Sequence, residues 1–200
     1  LSEDEFTSTK KDFLILWDQF IFQTETFFRQ KNFLKVSTPT LVVCPGTEPF
    51  LDVFQTELHV NSLNKRKMYL PTSPELNLKK MLTRGYDQIF EIRHCFRNGE
   101  VTDIHQPEFW MLEWYRTYAD LNEIQADVQD LVLFLCSHFK KIPPQFEKIT
   151  CKQAFEKYLD LELAADADIN ELKILVLNNL KSKHLYSQIK DYDLWDDVYY

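Results

Sequence analysis

"FRNGEVTDIHQPEFWMLEWY", residues 96–115, holds two strand-like arms around a polar loop. Aromatic, β-branched and apolar residues alternate in both arms, which is the period of a half-buried strand. An arginine, Arg97, closes the first arm, and a carboxylate, Glu113, stands inside the second. The loop between them carries Asn98, Gly99, Glu100, Asp103, His105 and Gln106.

In a strand, residues two apart share a face. Phe109, Met111, Glu113 and Tyr115 therefore point one way, and Trp110, Leu112 and Trp114 the other. In the first arm Glu91, Arg93, Cys95 and Arg97 share a face. A buried, unpaired carboxylate costs several kcal/mol as an order of magnitude, so Glu113 needs a partner or water. Two readings stay open. Glu113 pairs across the hairpin with a cation such as Arg93, or the face is an open site. In such a site Phe109 offers a stacking surface, Arg97 meets an anion, and Glu113 with Tyr115 meets a cation.

Outward from this hairpin, the 200-residue length suits one domain. With 44% hydrophobic residues a sizeable core is available. The net charge of −8 argues against broad nucleic-acid binding, which needs a basic footprint. No apolar run approaches the about 18 residues of a membrane span. The acidic start "LSEDEFTSTKKDF" does not read as a secretory signal. Cys44, Cys95, Cys136 and Cys151 lie far apart, without metal-ligand spacing. Reduced thiols in the cytoplasm are expected. Gly46, Gly85 and Gly99 are the only glycines, so a glycine-rich phosphate loop is excluded.

Residues 10–31 predict a long helix with a stripe of Phe13, Leu16, Trp17, Phe20, Ile21, Phe27 and Phe28. An extended segment at 35–43 holds Pro39, which suits an edge or interface strand. Strands are expected at 54–60, 66–71, 88–97 and 107–117. A short helix follows "TSP", with Thr72 or Ser73 as its cap, Pro74 in its first turn and Gly85 at its end. Asp120 and Glu123 open a further helix with Ile124, Val128, Leu131, Val132 and Leu135 on one face. Helices are also expected at 151–159, 169–180 and 184–190. The expected class is α+β: an antiparallel β-sheet flanked by helices.

The joint pattern resembles the class II aminoacyl-tRNA synthetases. "FRNGE" with "HQPEFWMLEWY" is similar to their motif 2, about 88–117. "TSPELNLKKMLTRGYDQIFEIRHCFRN" is similar to the lysine branch, and "STPTL" with the preceding helix, about 10–42, to the dimer-forming motif 1. "EWYR" and the position of the catalytic domain at the N-terminus point towards the elongation factor P lysine ligases. The likeness runs over roughly residues 10–160.

The resemblance implies a catalytic domain over 1–200, ending in a helical segment at 120–200 and stopping before motif 3. It implies an ATP-dependent ligase that activates lysine, with β-lysine favoured, as an adenylate and passes it to a lysine of elongation factor P. A compact lysyl-tRNA synthetase and a non-catalytic regulatory paralogue are the alternatives, with tRNA not expected as a partner. Arg97 would hold the ATP α-phosphate as the catalytic residue; Glu100, His105, Gln106 and Phe109 would complete ATP binding, with Phe109 under adenine. Glu113 and Tyr115 would bind the side-chain ammonium of the substrate, and Glu75 its other amine. No metal ligand is assigned in this chain; those for Mg2+ are expected beyond it, so the 200 residues alone are expected to be inactive. A homodimer through motif 1 is implied. One departure stands out: Gly99 occupies the place of a family glutamate that reads adenine, with Glu100 next to it.

Overall fold

The computed structural model describes residues 3–48, 51–61, 64–162 and 174. The expected helices at 169–180 and 184–190 lie outside the described residues, apart from Ile174. The chain divides into two units, Leu1–Pro143 and Pro144–Tyr200.

In the first unit, helix α1 (Glu3–Gln30) precedes strand β1 (Leu34–Lys35), the hairpin β2 (Gln55–His59) and β3 (Lys65–Tyr69), and helix α2 (Glu75–Leu82). The long strands β4 (Gln88–Phe96) and β5 (Glu108–Arg116) and helix α3 (Leu121–His138) complete it. β4 and β5 pair antiparallel in the expected register, with Glu91 opposite Glu113 and Cys95 opposite Phe109.

The sheet is mixed rather than purely antiparallel. β1 runs parallel to β4, with Leu34 opposite Ile89 and Lys35 opposite Phe90. Of the extended segment expected at 35–43, only Lys35 belongs to this strand and Val42 makes an isolated antiparallel bridge with Tyr69, while residues 38–40 between them bond to side chains. The Thr38 amide and hydroxyl donate to the two Glu91 carboxylate oxygens at 2.9 and 2.8 Å. Arg93 donates to the Thr38 hydroxyl (2.7 Å), to the Thr38 and Pro39 carbonyls (3.2 Å each) and to the Thr40 hydroxyl (2.8 Å). Glu91 and Arg93, 3.5 Å apart, thus clamp the Pro39 segment onto β4. This overturns the proposed Arg93–Glu113 pair: the guanidinium is spent on residues 38–40.

The even-numbered residues of β4 and β5 form the apolar face. Phe90, Ile92, Leu112 and Trp114 pack with Phe27, Phe28 and Phe33 and with Leu131 and Phe134 of α3. The Phe28 ring lies 4.9 Å from Phe90, stacked, and 5.3 Å from Trp114. Burial of the α1 stripe is confined to its C-terminal part. Phe13, Leu16 and Phe20 are exposed, although Trp17 between them meets Trp110 of β5 at 6.1 Å. On α3 the packed line runs through Asp127 and Leu131, and Val128 is exposed, contrary to expectation. Asp127 is fully buried and bridges Arg116 at 3.1 Å and Lys31 at 3.4 Å, so it joins α3 to β5 and to the end of α1.

Local signals are realised closely. Asp120 and Glu123 form the reciprocal capping box. Pro74 is the N-cap of α2; Ser73 supports it by accepting from the Glu75 amide at 3.4 Å, and Thr72 instead donates to the Pro45 carbonyl at 3.1 Å. Gly85 takes φ +88° in the turn after α2, a backbone that favours glycine. In the second unit, Thr150 and Gln153 form another capping box for helix α4 (Cys151–Ala154), which runs into one π-helical turn, Phe155–Leu159. Among the described residues no helix is long and apolar enough to cross a membrane.

Removing one partner of a buried ion pair leaves the other charge uncompensated. Arg93→Met is therefore expected to destabilise the protein by about 3–5 kcal/mol in urea unfolding, well beyond the effect of a surface arginine.

Candidate active site

The odd-numbered face of β4 and β5 carries the candidate site residues Glu113, Tyr115, Phe109 and Arg97. Its lower end packs on α2, where Ile89, Val36 and Leu78 form a small core joined by Tyr115 and Met81. This contact carries the start of α2, and with it Glu75, to the Glu113 end of β5. Three expected amino-acid-binding residues are thereby brought together. The Tyr115 hydroxyl donates to Glu113 at 2.7 Å. Glu75 lies close enough for its charge to act on both.

Burial pushes the Glu113 carboxyl above the usual carboxylate range; the Tyr115 hydrogen bond opposes this, Glu75 adds to it, Lys79 opposes it, and Glu91 adds a little. Burial, and then donation to Glu113, pushes the Tyr115 phenol well above its ordinary value. Glu113 faces no cation across the ladder: its register partner is Glu91, another carboxylate.

Four residues along β5, about 13 Å at the usual strand rise, lies Phe109. The Arg97 guanidinium sits over its ring at 5.2 Å and reaches Glu100 at 3.7 Å. Arg97 Nε is buried and has no hydrogen-bond acceptor. A buried donor without a partner is costly, so the position favours an incoming anion. Gly99 has φ +79°, the left-handed turn that starts the loop, and this turn sets Glu100 beside Arg97. A glutamate at 99 would have to hold that strained backbone; glycine there has a conformational reason.

His105 and Gln106 are not brought onto this face. Both are exposed, and the His105 ring is held by the Thr102 hydroxyl at 2.9 Å. Two further residues escaped the sequence reading, Lys79 and Glu48. Lys79 forms an ion pair with Glu75, and Glu48 acts on Lys79 from the loop after Pro45. That loop is tight. A Cβ at Gly46 would stand 2.4 Å from the Thr72 hydroxyl and 2.6 Å from a Glu48 carboxylate oxygen. The signal for Lys79 was its spacing four residues after Glu75; Glu48 had none, because its approach is tertiary. Among the described residues no group of three His, Cys, Asp or Glu side chains could hold a metal ion, so none is assigned to magnesium.

A carboxyl whose folded value is raised contributes stability below the ordinary glutamate range and loses it as pH rises through the raised value. Ionised Glu113 is thus a burden on the empty protein at neutral pH. Glu113→Gln is expected to melt higher than the wild type at pH 7, and the gain should vanish on acidification below about pH 4. Scanning calorimetry across that range checks the sign.

The family model described as class II tRNA synthetases (D, K and N) matches residues 4–193. A protein of Aquifex aeolicus named elongation factor P–(R)-β-lysine ligase homolog is 37% identical over 147 residues, 74% of this chain and 48% of that protein. A lysine–tRNA ligase of Buchnera aphidicola is 38% identical over 143 residues, 68% of this chain and 27% of that protein. An elongation factor P–(R)-β-lysine ligase of Photorhabdus laumondii is 35% identical over 139 residues, 68% of this chain and 41% of that protein. The chain spans about half, or less, of the length of these relatives. With the family model matching nearly end to end, the chain belongs to the class II tRNA synthetases of the aspartate, lysine and asparagine type.

Proposed function

We propose that this chain carries the activating face of a cytoplasmic, ATP-dependent ligase that forms a lysyl adenylate, with β-lysine the favoured substrate, and transfers the aminoacyl group to a lysine of elongation factor P. The observation that carries the reading is the layout of one sheet face. An anion- and base-binding pair, Arg97 on Phe109, stands at one end, and a cation-binding set, Glu113 with Tyr115 and Glu75, at the other.

In the proposed reaction adenine stacks on Phe109, the α-phosphate meets Arg97, and the substrate amines meet Glu113 and Glu75. The substrate carboxylate then attacks the α-phosphorus, the bond to the bridging oxygen breaks, and pyrophosphate leaves. No general base is needed because the nucleophile is already an anion. The work is positioning, with Arg97 offsetting charge that develops on phosphorus. In the second step the acceptor amine attacks the adenylate carbonyl, AMP leaves, and one proton is released. Magnesium, when bound, would screen the triphosphate. Glu100, His105 and Gln106 are assigned to the nucleotide side, the last two on a loop that must close over it.

The match to a lysine–tRNA ligase at similar identity supports a second reading, in which tRNA is the acceptor. The net charge of −8 weighs against it. Supplying labelled lysine together with elongation factor P and tRNA shows which acceptor takes the label.

Truncating one partner of a desolvated charged pair typically costs about 2–5 kcal/mol. In a protein that continues through motif 3, Glu113→Gln is therefore expected to lower lysine-dependent ATP–pyrophosphate exchange more than about tenfold with ATP affinity intact. An equal loss of ATP affinity would refute the substrate role of Glu113. Phe13, Leu16 and Phe20 are exposed on α1, and Leu41 and Val43 are exposed after Pro39; such apolar positions in the motif 1 segment suit contact with a second copy. Light scattering at micromolar concentration should return the mass of a dimer.

A further inference from the structure

Lys79 stands one turn after Glu75 on α2 and pairs with it. A Glu–Lys pair at this spacing on an exposed helix is ordinary helix support. The surroundings of Lys79 go beyond that. Its ammonium is held in the charged form first by the Glu75 hydrogen bond, and also by Glu113 from β5 and Glu48 from the loop after Pro45. Among the described groups acting on Glu113, Lys79 is the one cation; Glu75 and Glu91 both oppose the Glu113 charge. Glu75 is the carboxylate in ion-pair contact with the ammonium; Glu113 and Glu48 act on it only through their charge.

We propose that Lys79 is the resident counter-ion of the amino-acid pocket: its ammonium occupies the Glu75 carboxylate in place of a substrate amine, and a diamino acid binds by displacing it. The inference rests on the reading of Glu75 and Glu113 as the ligands of the substrate amines. Once the Lys79 ammonium moves away, Glu75 and Glu113 offer two carboxylates to the two ammonium groups of lysine. Lys79 is exposed, so its side chain can swing into water without losing packing. It touches no reacting atom; it is a positioning residue. It holds like charges together while the pocket is empty, at the cost of competing with the substrate.

Lys79→Met keeps helix propensity and removes the competitor. Lysine binding to the full chain, followed by calorimetry, should become about threefold to tenfold tighter, the combined effect of a lost helix pair and a lost like charge beside the ligand. Lys79→Arg, which restores the cation, should return affinity towards the wild type. A purely structural pair would lower the melting temperature and leave lysine affinity unchanged. Wild-type binding of lysine with Lys79→Met unchanged or weaker overturns the role of Lys79 alone. A wild-type protein that takes up no lysine overturns the pocket reading together with it.

Discussion

A buried carboxylate and a buried guanidinium, Glu91 and Arg93, stand two residues apart on one strand, and the chain around them is arranged to supply their partners. Neither can be left bare, because each lost hydrogen bond to a buried charge costs more than an ordinary one. Residues 38–40 answer with two hydroxyls, two carbonyls and an amide. That requirement pulls the Pro39 segment alongside β4, ends β1 after two residues, and orients α1 through the short connection from Gln30 to Leu34. It also removes Arg93 from the reach of Glu113.

The consequence appears on the same face. With Arg93 committed elsewhere, Glu113 is left opposite Glu91 and near Glu75, half-buried and supported by one phenol and one exposed ammonium. A face organised for stability alone would not place carboxylates in this way. Of these carboxylates Glu91 is paired with Arg93 and Glu75 with Lys79, and Glu113 is the one without a direct cation, which suits a ligand that brings one. At the far end of the strand Arg97 lies over Phe109 beside Glu100, with its buried Nε lacking an acceptor. The two ends together give the sheet a direction along which a zwitterionic amino acid and a nucleotide can be laid out.

The opposite face explains how the strand tolerates this. Phe90, Ile92, Leu112 and Trp114 are locked against the phenylalanines of α1 and against α3, so the register of β4 and β5 is set by apolar packing. A slip by one residue would turn the phenylalanines to the polar side and Glu113 into the core. The charged positions are therefore held in place by the alternate residues between them.

How much of this was legible follows the range of each interaction. The alternation in "QIFEIRHCF" and "EFWMLEWYR", the Asp120–Glu123 box and the turn at Gly85 are local, and each element formed where its residues indicated. The grouping of Glu113, Tyr115, Arg97 and Phe109 on one face was also legible, since strand period alone decides it. The partner of Arg93, the parallel pairing of β1, the exposure of Val128 and of Phe13, Leu16 and Phe20 on α1, and the approach of Glu75 and Lys79 to Glu113 were not. Each depends on which distant segment arrives at a given edge or face, and a buried charge accepts any segment with suitable donors and acceptors. The sequence by itself determined the strands, the caps and the face on which each side chain lies, because backbone sterics and periodicity act within a few residues. The tertiary structure alone decided which charges are paired and which are left for a ligand, because that choice is made by contacts between residues far apart in the chain.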